Sequence, residues 1–263
     1  MKWFCFFLAF PLFAEEPMIR HADEITYEWL VKLGATGYTD HIPHFREIFS
    51  HYKVNTFLEF GMGFSTKYFL DSADKVISVE FVTHGYGPEW IQKCIELLGA
   101  HPNWIPIAYF TGYQGNPSWA PHPHLGSDAV YRAASYQCAT HRNYALIDPS
   151  YLLELDTFIS NLVNSHQVDI AFVDPGIYLR GDLVQRLFHK VSVIVAHDCR
   201  RTLELLENDV YGYSRIYPPD DYEEILIPFG QGTTVWIIRK ENFLPLIDAI
   251  KKYASPEPTM VST

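Results

Sequence analysis

The sequence contains little cysteine, no run rich in lysine or arginine, no internal repeat and no low-complexity segment. Without a basic run, and with a formal net charge of −11, the chain lacks the electrostatic footprint of a nucleic-acid-binding protein. Disorder is not expected either, because 48% of the residues are hydrophobic and 16% are aromatic. A chain of 263 residues with this composition suits one large α/β domain or two small ones.

The four cysteines do not have the spacing of a metal site. Cys5 lies in an N-terminal apolar segment, which leaves Cys94, Cys138 and Cys199 in the rest of the chain. One disulfide with one free thiol, or three buried thiols, would both account for this odd number. Cysteine usage therefore does not settle the cellular compartment.

The N-terminal apolar run, Trp3–Phe13, is too short to cross a bilayer as a helix, which takes about 20 apolar residues. Because it follows Lys2 and precedes Ala14 and an acidic pair, it predicts a signal peptide over residues 1–14. We then expect export to the periplasm or the extracellular space, with no stable membrane span after signal removal. The alternatives are a buried N-terminal segment or an interfacial anchor, and a cytoplasmic location.

After residue 53, apolar strand patterns alternate with helical patterns, which indicates a parallel sheet covered on both faces. The pattern predicts strands at Thr56–Phe60, Lys75–Glu80, Trp104–Tyr109, Asp169–Val173 and Val191–Ala196. It predicts helices at Ser65–Asp71, Pro88–Leu98, Leu152–Ser165 and Gly181–His189. Residues 15–53 are expected to form an N-terminal helical segment, with helices at Asp23–Leu33 and Pro43–Tyr52.

Two regions depart from this alternation inside a predicted main domain of residues 54–240. Residues 111–150 are irregular and rich in aromatic residues, which predicts a functional insertion that covers the substrate as a lid or a sugar-stacking surface. His122 and His124 in this insertion are interpreted as exposed loop residues rather than metal ligands. Glu224–Pro228 and Thr233–Arg239 predict an antiparallel hairpin, followed by a C-terminal helix and tail at 241–263.

The segment Thr56–Lys67 combines an apolar strand that carries an acid, two glycines and two small hydroxyl residues. This order is typical of a strand, a tight turn and the start of a helix. Gly61 and Gly63 would let the backbone pass close to a ligand. The N–H groups at the helix start can face polar or anionic ligand atoms. The segment therefore predicts a site for a nucleotide-like cofactor.

Five matches in chain order resemble the class I S-adenosylmethionine-dependent methyltransferases, over roughly residues 54–240. They are Glu59–Gly63, Val76–Glu80, Val168–Asp174, Val193–Asp198 and the C-terminal hairpin. The resemblance implies a Rossmann-like doubly wound α/β sheet, mostly parallel with an antiparallel C-terminal hairpin strand, and helices on both faces. An NAD-type Rossmann domain is disfavoured, because Ser65 replaces the third small residue of its fingerprint, Glu59 precedes the glycines, and the hairpin is foreign to it.

The resemblance also implies roles in binding S-adenosylmethionine. Glu59 would organise the turn and the amino group of the cofactor, and Gly61 and Gly63 would allow close backbone approach. Ser65 and Thr66 would place hydroxyl or N–H groups at the cofactor carboxylate, or would only cap the helix.

Three further residues are expected at the cofactor. The Glu80 carboxylate can accept hydrogen bonds from both ribose hydroxyls, because it has two acceptor oxygens and no donor. Phe81 could cover an adenine face. Asp174 ends a strand at the edge where ligands bind in open α/β sheets.

Methyl transfer needs a base that removes the acceptor proton, or a cation that lowers the acceptor pKa. His197 is one candidate, as general base. Asp174 and Asp198 are the other, as ligands of a divalent ion such as Mg²⁺ or Mn²⁺. In a third interpretation Asp198 only caps the next helix and His197 hydrogen-bonds nearby. Arg180 is available for a substrate anion or for Asp174.

The sequence thus predicts a methyltransferase that uses S-adenosylmethionine, with O-methylation of a small molecule or saccharide as the expected reaction. Within the class, the stretch from Asp174 to Asp198 looks like members that modify small molecules or sugars. The alternative is a non-catalytic Rossmann-like binding module, because the predicted export would separate the protein from a cytosolic cofactor. An NAD-type oxidoreductase is the least favoured reading.

Overall fold

The computed structural model describes residues 39–82, 88–99, 101–110, 149–176, 180–199 and 211–255. The strands are β1 Thr56–Phe60, β2 Lys75–Val82, β3 Trp104–Phe110, β4 Ile170–Val173, β5 Val193–His197, β6 Tyr222–Ile227 and β7 Thr233–Ile238. The helices are α1 Ile42–His51, α2 Thr66–Ser72, α3 Pro88–Leu98, α4 Pro149–His166, α5 Arg180–Leu187 and α6 Leu244–Ala254. Short 3-10 helices lie at Tyr213–Arg215 and Glu241–Phe243.

These strands form one seven-stranded sheet in the order β3-β2-β1-β4-β5-β7-β6. The first five pair in parallel, whereas β7 runs antiparallel to both β5 and β6. Every residue of β1, β4, β5 and β7 is buried, as expected for strands covered on both faces. The sheet is Rossmann-like and mostly parallel, with an antiparallel hairpin at its C-terminal end, so the predicted fold class is confirmed.

The strand order also brings the predicted site residues to one edge. The sheet reverses its winding between β1 and β4, and parallel strands present their carboxyl ends at the same edge. Glu80 lies two residues before the end of β2, Asp174 lies just beyond β4, and His197 ends β5. The Asp174 N–H donates to the Phe60 carbonyl at 2.9 Å, which continues the β1–β4 ladder up to the site.

Several element boundaries differ from the predicted ones. Helix α4 begins at Pro149, where a proline suits the first turn of a helix because its ring fixes φ. Helix α5 ends at Leu187, and His189 has a left-handed φ of 62°. The Val191 N–H donates to the Leu187 carbonyl at 3.0 Å, so Val191 belongs to this turn and β5 begins two residues later.

Some predictions fall outside the described residues. These are the signal peptide at 1–14, the helix at 23–33, the insertion up to residue 148, Cys138 and the helix that Asp198 would cap, in residues 200–210. The domain limits and the exported location likewise stay predictions. Cys94 and Cys199 are buried and form no disulfide with any of the described residues.

Among the described residues, no helix has both the length and the apolar character that a membrane span requires.

Candidate functional site

The turn between β1 and α2 is held together by the buried carboxylate of Glu59. Its Oε1 accepts hydrogen bonds from the hydroxyls of Thr66, at 2.7 Å, and Ser78. Burial raises the pKa of Glu59 to about 8, against the opposing effect of these hydroxyl donors. Glu59 Oε2 is buried without a hydrogen-bond partner in the described part of the chain. The carboxylate therefore organises the turn and keeps one unused acceptor.

The backbone N–H groups of the turn are used within the protein. Gly61 N–H donates to the Val79 carbonyl at 2.8 Å, and Gly63 N–H donates to Thr66 Oγ1 at 2.9 Å. Ser65 is the N-cap residue of α2 but makes no capping hydrogen bond with its side chain. Fewer backbone N–H groups of the turn are therefore available to a ligand than the sequence predicted, because those of Gly61 and Gly63 already donate to acceptors within the protein.

Glu80 closes the turn from the neighbouring strand. Its Oε2 accepts a hydrogen bond from the Met62 N–H at 3.0 Å, and its side chain is almost completely buried. Burial raises the pKa of Glu80 to about 8, while the Met62 N–H acts in the opposite direction. The structure therefore brings the two predicted acids, Glu59 and Glu80, to the same glycine turn.

The two glycines differ in what surrounds them. Gly61 has a left-handed φ of 96°, and a Cβ there would lie 2.5 Å from the Asp174 carbonyl oxygen. Among the described residues, a Cβ on Gly63 would meet only the Trp90 ring, at an ordinary 3.6 Å. Trp90 Nε1 donates to the Met62 carbonyl at 2.8 Å and so fixes that ring beside the turn. Gly61 is required by packing against β4, whereas Gly63 leaves room at the turn.

Phe81 has a different environment from the predicted one. Its side chain is fully buried and packs between Phe60 and Tyr109, with ring centroids 6.1 and 5.3 Å away. Successive residues of a strand point to opposite faces, so Phe81 points away from the face that Glu80 uses. The structure gives Phe81 a place in the core instead of the predicted contact with adenine.

Arg180 at the start of α5 lies between the two predicted metal-binding carboxylates. Its Nη1 is 2.6 Å from Asp174 Oδ1 and 3.1 Å from Asp198 Oδ2. The guanidinium also donates through Nε to the Pro175 carbonyl at 2.9 Å and lies 3.9 Å above the Tyr211 ring. Although burial opposes the charge, Asp174 in particular raises the pKa of Arg180 above its ordinary value.

This arrangement does not fit a Mg²⁺ or Mn²⁺ ion on Asp174 and Asp198. Such ions take oxygen ligands, whereas a permanently charged guanidinium already occupies the space that the two carboxylates share. Of the two partners the sequence left open for Arg180, Asp174 is the one it contacts. Asp198 has a left-handed φ of 61°, a conformation that aspartate tolerates better than most residues.

His197 ends β5, is almost completely buried, and has contacts at both ring nitrogens. Nε2 lies 2.9 Å from Asp40 Oδ1, and Nδ1 lies 3.1 Å from Thr233 Oγ1. Burial lowers the pKa of His197, but Asp40 and the other nearby carboxylates outweigh it, so the pKa is raised. The acidic surroundings thus favour a protonated imidazole, which is a poor base until it loses that proton.

Asp40 and His41, just before α1, complete this group and were not singled out from the sequence. Asp40 Oδ2 accepts a hydrogen bond from the Gln231 N–H at 3.0 Å, in the turn between β6 and β7. The His41 ring lies 4.9 Å from the His197 ring and 4.7 Å from Phe172, and it is 1% exposed. Burial lowers the pKa of His41 well below its ordinary value. No sequence spacing links residues 40 and 41 to residue 197, so only the fold could reveal the group.

Neither a protein-family model nor a curated protein matches this chain. A solved structure from Staphylococcus aureus, assigned as a caffeoyl-CoA O-methyltransferase, is 12% identical with a TM-score of 0.46 and covers 82% of this chain and 92% of its own. An SAH-bound methyltransferase of Podospora anserina is 12% identical with a TM-score of 0.41, and the match covers 74% of this chain and 76% of the Podospora chain. Likeness at this level carries no argument about activity, which has to come from the residues of the site.

Proposed function

We propose that this protein is an S-adenosylmethionine-dependent methyltransferase that acts on a hydroxyl group of a small molecule or saccharide. The observation that carries the proposal is the contact between Glu80 and the Met62 N–H in the glycine turn. It joins an acid suited to ribose hydroxyls to a turn suited to the rest of the nucleoside, at the carboxyl edge of a methyltransferase-type sheet.

The residues around the turn fit the cofactor. Glu59 keeps a buried acceptor without a partner, which suits a ligand amino group. Gly63 leaves space where a side chain would otherwise stand. We assign recognition of the cofactor carboxylate to the backbone at Phe64 and Ser65, because the N–H groups of residues 61 to 63 are used within the turn.

When bound, S-adenosylmethionine supplies an electrophilic methyl group on a sulfonium sulfur. The protein has to orient the acceptor and remove its hydroxyl proton. We assign the removal of the hydroxyl proton to the Asp40–His197 pair. The Asp40 carboxylate is the more exposed of the two side chains, at 21% against 4% for His197. Thr233 holds the imidazole from its other side.

A second candidate function is a non-catalytic Rossmann-like binding module. The self-satisfied N–H groups of the turn favour it, because a turn that satisfies its own donors is stable without a ligand. An NAD-type oxidoreductase is disfavoured by the antiparallel β7, since the dinucleotide fold is built from parallel strands.

Calorimetry with the full-length protein separates these functions. We expect S-adenosylhomocysteine to bind in the micromolar range and NADH not to bind. Binding of NADH alone would support the oxidoreductase. Failure of both ligands to bind to folded protein at high concentration would leave the binding module as the function.

A further inference from the structure

We propose that Asp40, His41 and His197 bind one divalent transition-metal ion of the zinc type, next to Asp198 and Arg180. Each of the three residues offers one ligand atom, and these atoms all lie within 4.8 Å of one another. The binding itself does not depend on the proposed methyl transfer, whereas the role given to the ion below rests on that function.

The distances are close to those of a metal site. Ligand atoms about 2.0–2.1 Å from a tetrahedral zinc ion lie about 3.3 Å apart. The Asp40 Oδ1 to His197 Nε2 distance is already 2.9 Å. The ligand atoms of the three residues, now within 4.8 Å of one another, would have to approach by about 1.5 Å at most to reach that separation. A small rotation of the His41 ring would bring its nitrogen closer.

His41 is the residue that points to a ligand. Both of its ring nitrogens are buried without a hydrogen-bond partner among the described residues, whereas the nearby Asp40 Oδ1 pairs with His197. A buried polar atom without a partner is costly and uncommon in proteins. An ion bound by one His41 nitrogen, beside Asp40 Oδ1 and His197 Nε2, would give that buried nitrogen a partner.

The neighbours hold two of the ligands as in a metal site. His197 Nδ1 contacts Thr233 Oγ1, which leaves Nε2 as the ligating nitrogen. Asp40 Oδ2 accepts the Gln231 N–H, which leaves Oδ1. Outer hydrogen bonds of this kind orient metal-binding histidines and carboxylates. The turn between β6 and β7 thereby positions ligands that come from the start of α1 and the end of β5.

Local charge also favours a cation. Asp40, Asp174 and Asp198 lie around this edge, and Arg180 is the cation that pairs with Asp174 and Asp198. With neutral histidines, the group carries a surplus of negative charge that a divalent ion would balance. Two imidazoles and one carboxylate suit Zn²⁺, Fe²⁺ or Co²⁺ better than Mg²⁺, which prefers oxygen ligands alone.

The ion would take the place of the proton that Asp40 and His197 otherwise share. Three protein ligands leave coordination positions open for the hydroxyl of an acceptor. A cation at that place lowers the pKa of the hydroxyl, and the proton leaves to solvent. This edge of the sheet would then hold two cations with separate roles. Arg180 pairs with the carboxylates of Asp174 and Asp198, and the metal ion would bind the acceptor hydroxyl.

The test uses the full chain, stripped of metal with a chelator and titrated with Co²⁺ alone. We expect one Co²⁺ per chain, an intense visible absorption typical of low coordination number, and X-ray absorption that shows two imidazole nitrogens. Absence of binding at micromolar Co²⁺ and Zn²⁺, in a protein with native circular dichroism, would overturn the proposal.

Variants locate the ion. His41→Gln and Asp40→Asn should lose about 100-fold or more in Co²⁺ affinity, and Thr233→Val about 10–100-fold, as ligand and outer-partner losses do. The matched control is His51→Ala, an exposed histidine at the other end of α1. A second control, His122→Ala with His124→Ala, removes the other candidate histidines. If this double variant lost the ion and His41→Gln kept it, the site would be elsewhere and the proposal wrong.

One further measurement separates this proposal from the methyltransferase function. S-adenosylhomocysteine binding is measured on the metal-free protein. Cofactor binding without metal binding would overturn the metal site and leave the function standing. Metal binding without cofactor binding would do the reverse.

Discussion

Arg180 Nη1 lies 2.6 Å from Asp174 Oδ1, at the place where a metal ion was one of the three interpretations that the sequence left open. The same nitrogen reaches Asp198, so one buried guanidinium joins the ends of β4 and β5. This edge of the sheet is therefore held by a charge that belongs to the chain itself. Its removal would leave two carboxylates facing each other.

Arg180→Ala should therefore lower the free energy of unfolding by about 3–5 kcal/mol, since a buried ion pair loses one partner. Denaturant unfolding at neutral pH measures this. The matched control is Arg239→Ala, whose exposed pair with Glu223 should contribute about 0–1 kcal/mol. Millimolar Mg²⁺ should restore part of the stability of Arg180→Ala only, because its carboxylates become available as oxygen ligands. Equal losses in both arginine variants would contradict the role given to Arg180.

Gly61→Ala and Gly63→Ala should behave oppositely. Alanine at 61 meets the Asp174 backbone and a positive φ, so we expect a loss of about 2 kcal/mol or more in unfolding free energy. Alanine at 63 meets only ordinary contact with Trp90, so stability should be kept while affinity for S-adenosylhomocysteine falls. Thermal unfolding and calorimetry measure the two effects. If Gly63→Ala bound the cofactor normally, the backbone at Gly63 would not be in contact with it.

The stability of Glu80→Gln relative to the wild type should rise with pH. The folded pKa of Glu80 is raised to about 8 by burial, so its favourable contribution is present below the unfolded value near 4.5 and is lost as pH rises through about 8. Glutamine does not titrate, so the difference between the two proteins isolates this group. Unfolding free energies at pH 5 and pH 8 test it, and a difference independent of pH would contradict the assigned pKa.

His197→Ala and Asp40→Asn should abolish methyl transfer and leave cofactor affinity within about twofold, because neither side chain contacts the glycine turn. The rate of S-adenosylhomocysteine formation is measured with a hydroxylated acceptor that the wild type methylates. His51→Ala serves as control and should retain full activity, since it is exposed and distant in the chain from β5. Retained activity in His197→Ala would remove that residue from the reaction.

Local patterns predicted the fold and the two acids, Glu59 and Glu80, that meet at the glycine turn. The order of strand, glycine turn and helix lies within Thr56–Lys67, and Glu80 lies two residues before the end of the next strand, so short-range periodicity was enough to predict that the turn and Glu80 meet. Gly61 was predicted to make room for a ligand, whereas a side chain at this position would clash with the backbone that follows β4. The contact arises because β4 is the neighbour of β1 in the sheet, and local patterns do not give the strand order. Phe81 could have been assigned correctly, because alternation along β2 already separates it from Glu80.

The group around His197 could not be predicted in the same way. Asp40 and His41 meet His197 only because the turn between β6 and β7 anchors Asp40 and α1 packs near the end of β5. Arg180 reaches Asp174 and Asp198 because α5 begins directly beside both strand ends. The contacts of Asp40 and His41 with His197 join segments that are far apart in the chain, so no local spacing encodes them. Arg180 follows Asp174 closely in the sequence, and Asp174 was one of the two partners that the sequence left open for it.

The most direct test of the methyltransferase assignment is a crystal structure of the full chain with S-adenosylhomocysteine. We expect the ribose hydroxyls on the carboxylate of Glu80, the amino acid portion over the turn at Gly63, and the sulfur directed towards the Asp40–His197 pair. A ligand bound elsewhere on the protein, or no bound ligand in crystals soaked at saturating concentration, would contradict the assignment.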